Sequence, residues 1–135
     1  MIFINALSAL RGGGQTYLLH LLKRIPEHLH GKVIVLAHQK NQHIFAPYEK
    51  QIQVLVSDFA SRSLFHRVFF ENFLLKQILI ENKVVVFFSV SGLVPKWKLK
   101  GVYLVSIFQN QLPFAPTERK RYPYGFMRFK FLLLK

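Results

Sequence analysis

The segment Lys32-Val33-Ile34-Val35-Leu36-Ala37 constrains the fold more than any other part of the chain. After its lysine it is continuously apolar and rich in β-branched side chains. A strand alternates its side chains between two faces, so a run with no polar position must be covered on both. Strands of that kind belong to parallel sheets, whose connections cross over through helices.

The flanking segments supply such connections. Ile2, Phe3 and Ile4 form a short β-prone run, broken by Arg11-Gly12-Gly13-Gly14. Leu18, Leu21, Leu22 and Ile25 then recur at helical spacing, until Pro26 ends the helix. Gln39 to Lys50 is polar, contains Pro47, and predicts a loop with a short helix. Gln51 to Val56 alternates apolar and polar residues and predicts a third strand. Leu64 to Glu81 predicts a long helix, with Leu64, Val68, Leu75 and Leu79 widened by Phe69, Phe73 and Ile78. Val84 to Phe88 and Gly101 to Phe108 predict a fourth and a fifth strand. Pro113 and Pro116 interrupt the chain, and a basic, aromatic helix is predicted from about Tyr124 to Lys135. The expected fold is α/β: an open Rossmann-like parallel sheet of about five strands, with helices on both faces and residues 1–135 in one domain.

At 51% hydrophobic residues the chain has enough apolar surface for a core, which argues against disorder. It has no cysteine, so disulfides, thiolate metal sites and cysteine nucleophiles are excluded. The start Met1-Ile2-Phe3-Ile4-Asn5-Ala6-Leu7 lacks a basic region and is too short for a signal peptide. Leu64 to Ile80 is interrupted by His66, Arg67, Glu71, Asn72, Lys76 and Gln77, unlike a membrane span. A cytoplasmic location is expected, with peripheral contact at the inner face of the membrane allowed. The 19 Lys and Arg against 6 Asp and Glu give a net charge of +13, a surface drawn to polyanions. The densest basic group is Arg119, Lys120, Arg121, Arg128, Lys130 and Lys135, among aromatic residues. That segment suits an anionic membrane surface, a nucleic-acid backbone, or a helix with a solvated basic face.

In open parallel sheets, ligands bind at the carboxyl ends of the strands. Three stretches fall there: Gly12-Gly13-Gly14, Ser89-Val90-Ser91-Gly92 and Gln109-Asn110. Glycine, serine and amide groups suit close backbone approach and hydrogen bonding rather than proton transfer. The glycines read equally as a ligand-facing loop at a helix N-terminus and as a bare turn. A dinucleotide fingerprint fails, because Tyr17 stands where its last glycine or alanine should be, and His38-Gln39 where the ribose-binding acid should be. A Walker A loop fails too, because Gly14 is followed by Gln15-Thr16. Asp58 is read as a cap near Ser61 or a loop charge rather than as a substrate ligand. His28, His30, His38 and His43 have no carboxylate or thiolate at metal-binding spacing and are read as surface residues. His20, on the polar side of the first helix, is given no role. No catalytic residue, cofactor or metal is assigned.

Taken in order, these motifs resemble one family. Asn5-Ala6-Leu7-Ser8-Ala9 with Gly12-Gly13-Gly14-Gln15-Thr16-Tyr17-Leu18 is similar to the opening of glycosyltransferase family 4 proteins. Phe88-Ser89 with Gly92 and Pro95, then Gln109-Asn110-Gln111-Leu112-Pro113-Phe114, Arg121-Tyr122-Pro123 and Arg128 to Lys135, resemble later stretches of bacterial members. The resemblance implies the amino-terminal, acceptor-side part of a GT-B fold, in which two Rossmann-like domains face each other across a cleft. It implies metal-independent, retaining sugar transfer from a nucleotide-sugar to a glycan or lipid-linked acceptor, as in lipopolysaccharide and other surface glycan synthesis. It places Gly13 and Gly14 near donor phosphates and acceptor, and Ser91, Gly92, Gln109 and Asn110 on the acceptor side. The sequence lacks the family's donor-binding domain with its acidic motif, and a histidine that many relatives carry where Gln109-Asn110 stands. The expectation is therefore an incomplete amino-terminal domain, truncated at its carboxyl end and inactive alone. The competing expectation is a non-catalytic basic module that binds anionic membrane or nucleic acid. Specific nucleic-acid recognition is not expected, because no recognised binding motif is present.

Overall fold

A computed structural model describes residues 1–90, 95 and 97–107. Its first strand, β1 (Ile2–Asn5), leads into α1 (Gly13–Leu22), and β2 (Val33–Ala37) follows. A 3-10 helix (Gln42–Tyr48) leads to β3 (Gln53–Val56), then α2 (Asp58–Arg62) and α3 (Leu64–Phe69). A π-helical turn (Phe70–Leu74) joins α3 to α4 (Leu75–Glu81), and β4 (Val86–Ser89) and β5 (Tyr103–Ser106) complete the order.

The five strands form one sheet in the order β3-β2-β1-β4-β5, every neighbouring pair parallel. All five residues of β2 are buried, as its unbroken apolar run requires. Every residue of the edge strands β3 and β5 is exposed or half-buried. The open Rossmann-like α/β sheet expected from the sequence is the fold observed.

Strand alternation divides the core in two. Ile4, Val33, Val35 and Ala37 pack with Leu18 and Leu22 of α1 and with Phe45 of the 3-10 helix. Phe3, Ile34, Leu36 and Phe87 pack with Phe70 of the π turn and with Leu75 and Leu79 of α4. On this second face Phe3 and Phe87 stack at 6.0 Å, and Trp97 meets Phe87 edge-on at 6.0 Å. The sheet thus has α1 on one face and the α2–α4 run on the other, leaving the carboxyl ends of β1, β2 and β4 framed by both.

Several element boundaries differ from expectation for local reasons. Gly13 and Gly14 are the first residues of α1 rather than part of a loop, so the backbone turns at Gly12 alone. Gly12 has φ 71° and ψ −153°, a conformation nearly confined to glycine. The helix stops at Leu22, short of Pro26, with turn-like bonds from Arg24 N–H to Leu21 C=O and from Ile25 N–H to Leu22 C=O. Asp58 is neither a cap near Ser61 nor a loop charge. It is the first residue of α2, whose N-cap is Ser57, with Oγ accepting from Ala60 N–H at 3.1 Å. The long helix expected over 64–81 is a continuous run broken in character by its π turn. Ser63 caps its start, with Oγ accepting from His66 N–H at 3.3 Å. The helix expected from Tyr124 to Lys135 lies outside the described residues.

Candidate functional site

In this strand order the connection reverses between β1 and β4, and a crevice opens there at the strands' carboxyl ends. Gly13 and Gly14 stand at that edge, at the start of α1. Tyr17, one turn on, stacks on Phe88 of β4 at 6.4 Å and brings α1 across the reversal. Among the described residues no side chain caps the α1 N-terminus, and its first turn has no acidic residue. Only Gly12 of the three glycines has positive φ, so backbone conformation does not account for glycine at 13 and 14. Inside a helix glycine is about 1 kcal/mol less favourable than alanine, less at its first positions. Ser91, Gly92, Gln109 and Asn110 lie outside the described residues, so their expected places beside this edge have no structural account.

The approach to the glycines is held by two buried asparagines. Asn5 ends β1, and its Oδ1 accepts from Leu7 N–H at 3.2 Å. Asn41 donates from Nδ2 to the carbonyls of Ala6 and Ala9, both at 3.0 Å, while its Oδ1 accepts from His38 N–H at 2.8 Å. An asparagine serving three backbone groups satisfies a buried loop that has no sheet or helix partner of its own.

A polar network runs from this loop into the second face of the sheet. Asn5 donates from Nδ2 to Glu71 Oε1 at 2.7 Å. Arg67 donates from Nε to the same oxygen at 3.1 Å, one helical turn away. Glu71 is buried, and charge-assisted bonds from two donors offset its loss of water. It sits in the π turn, whose widened hydrogen bonding is accompanied by a bond from Trp97 Nε1 to the Glu71 carbonyl at 2.9 Å. Arg67 Nη2 is also buried, yet has no hydrogen-bond partner among the described residues. Leaving such a donor unmet costs about 1–3 kcal/mol.

Arg67 lines a cleft of about 210 Å³, together with Leu7, Leu10, His38, Ala60, Ser61, Ser63 and Leu64. The cleft lies between the carboxyl ends of β1 and β2 and the α2–α3 junction. His38 follows β2, and its Nδ1 accepts from Lys40 N–H at 3.0 Å. Burial holds its pKa below the ordinary 6.5, and the charges of Lys40 and Arg67 lower it further, against a hydrogen bond with the Ser61 backbone. These effects favour the neutral ring. Ser61 Oγ accepts from Gln39 N–H at 3.1 Å, and Gln39 Nε2 donates to Asp58 at 2.7 Å, so Asp58 braces the cleft's outer wall.

The sequence had placed His38 among surface histidines and gave Arg67 and Glu71 no role. An Arg-Glu pair at i, i+4 on a helix is common on solvated faces, and nothing local marks this one as buried. Asn5 was legible only within the family-like opening, and Asn41 not at all. Among the described residues no group of three or more His, Asp or Glu could hold a metal ion. No helix among them is long and apolar enough to cross a membrane. No family model matches the sequence, and neither a curated protein nor a solved structure resembles it closely enough to count as a match.

Proposed function

We propose that this chain is the acceptor-side part of a retaining GT-B glycosyltransferase acting in bacterial surface-glycan synthesis. One observation carries the reading. Two glycines that backbone conformation does not require stand at a helix N-terminus that no described side chain caps, beside the reversal point of a five-stranded parallel sheet. A helix start with free N–H groups and no side chains favours close approach of an anionic or hydroxyl-rich ligand. The opening motif, Asn5 to Leu18, lies along the same edge, and a nucleotide-sugar with a glycan or lipid-linked acceptor is the ligand this reading gives it. In this reading Gly13 and Gly14 let the sugar and phosphate near the α1 amides, while Asn5 and Asn41 fix the loop that leads to them. Donor binding and bond cleavage belong to a second domain.

The test is to express the chain with a donor-binding domain encoded beside it and to follow sugar release and transfer from nucleotide-sugars. Turnover by the pair is expected, lost in Gly14→Asp while the thermal midpoint stays within a few degrees. A pair that forms no complex and shows no turnover removes the reading.

A second reading, contact with anionic membrane, is favoured by one specific feature. Phe65 and Phe73 are 76% and 68% exposed, with Leu64, Val68 and Phe69 beside them on the same run of helix. Arg62 and Lys76 are exposed on that run, and the whole chain carries +13. Aromatic side chains flanked by cations suit a headgroup boundary. Salt-sensitive sedimentation with phosphatidylglycerol vesicles, weakened in Phe65→Ser/Phe73→Ser, is the expected result. Binding that ignores both salt and the double substitution would speak against it.

A further inference from the structure

The glycine edge does not use the cleft at Arg67, which lies on the other side of β1, toward β2 and the α2–α3 junction. Three properties of that cleft belong together. Its cation is oriented before any ligand arrives, because Glu71 holds Arg67 by Nε while Nη2, buried, stays unpaired among the described residues. Arg67 lines the cleft, so a guanidinium held in this way sets a fixed positive charge at the cleft wall for an anion. Its hydroxyls include Ser61 Oγ, which already accepts a backbone bond from Gln39 and so has its own proton to give. Among the described residues its lining contains no carboxylate: Glu71 is engaged by Asn5 and Arg67, and Asp58 by Gln39 outside the cleft.

Size and apolar lining narrow the ligand. About 210 Å³ is below the range of pockets that enclose whole drug-sized molecules, so the cleft takes a head group and the few carbons next to it. Leu7, Leu10 and Leu64 supply apolar contact for those carbons. The cations that act on His38 are Arg67 and Lys40, and a phosphate ester carries nearly two charges at neutral pH where a carboxylate carries one.

We propose that this cleft binds the phosphate group of a small phosphate monoester, with Arg67 as its principal anchor and Ser61 as a hydroxyl donor. The assignment stands on the cleft's own geometry and does not depend on sugar transfer. The phosphate can reach the cleft on a soluble metabolite or on a lipid headgroup, and both present the same chemistry.

The test follows the His38 ring signals of the full chain by NMR at constant ionic strength. The probes are inorganic phosphate, glycerol 3-phosphate, and vesicles containing phosphatidic acid. Glycerol 3-phosphate is expected to shift the ring signals saturably and to raise the His38 titration midpoint, because an anion offsets the Arg67 and Lys40 charges. Inorganic phosphate is expected to act more weakly, lacking the carbons that meet the leucines. A response to the vesicles alone assigns the phosphate to lipid and keeps the proposal. Arg67→Lys keeps the charge but loses the fork, and should weaken binding by roughly tenfold or more. Should that variant fold poorly, Leu10→Glu, at a position 37% exposed, sets a carboxylate beside the cleft and should weaken binding comparably. No saturable response to any of the three probes overturns the proposal. So does a response of equal strength in the wild type and in a folded Leu10→Glu variant.

Discussion

The face of the sheet under α1 is closed by aliphatic and aromatic side chains, whereas the face under α3 and α4 encloses a carboxylate, a guanidinium and an amide. Both faces are fed by the same strands. Ile4 and Val35 point one way, Phe3 and Asn5 the other, and Asn5 stands in register with the buried Ser89. The α1 helix is regular, while the opposite run passes through a π turn at the residue that completes the polar network. Apolar packing alone would have closed both faces. The difference teaches that the second face holds a defined orientation of charged groups, at a cost in desolvation that the first face does not bear.

The largest test of this contrast is Glu71→Ala. It strips two donors of their acceptor and leaves the Arg67 cation mostly buried and unpaired, so a loss of about 4 kcal/mol is expected in urea unfolding. Leu18→Ala on the first face removes only packing and should cost about 3 kcal/mol. The faces separate further on repair. Replacing both partners, Glu71→Leu with Arg67→Met, should recover much of the Glu71→Ala loss while abolishing the phosphate response of His38. If the repaired protein is no more stable than Glu71→Ala, the network is structural and the contrast fails.

Smaller effects sharpen it. Gly12→Ala should cost about 1–3 kcal/mol, because φ 71° with ψ −153° is hostile to a side chain although open space surrounds it. Gly13→Ala should leave the thermal midpoint nearly unchanged or slightly raised, since its backbone has no positive φ. Ser63→Ala removes the cap at the start of α3 and should cost about 1 kcal/mol.

The smallest effect is a dependence on pH. The pKa of His38 is lowered by folding, so between the folded value and the unfolded value near 6.5 the unfolded chain binds more protons. The stability this group contributes is fully present above about 6.5 and is lost as pH falls toward the folded value. In His38→Gln, urea midpoints measured across mildly acidic pH should lose part of that slope.

Much of the fold was legible because its signals are local. Five strands and both long helices follow from apolar runs and their spacing, and the failed nucleotide motifs follow from single residues such as Tyr17 and Gln15. Boundaries were less legible. Pro26 marks a limit for α1, but the helix ends at Leu22, where turn bonds take over its last carbonyls. The π turn left no mark in the apolar spacing, because one extra residue in a stripe that wide leaves it continuous. At the site, Gly12, Gly13 and Gly14 announce a turn in any context, yet only the backbone angles assign that turn to Gly12. Arg67, Glu71, Asn5 and Asn41 are ordinary in sequence. Their meaning comes from partners up to 66 residues away, which no local pattern specifies.

The sequence by itself determined a parallel α/β sheet with a glycine break after its first strand, because hydrophobic period and turn chemistry act over a few residues. Only the tertiary structure decided which polar side chains are buried, that Glu71 joins Asn5 to Arg67, and that a neutral histidine and a half-satisfied arginine face the same cleft. Desolvation and hydrogen-bond direction depend on what surrounds a group in space, and chain neighbours do not set them.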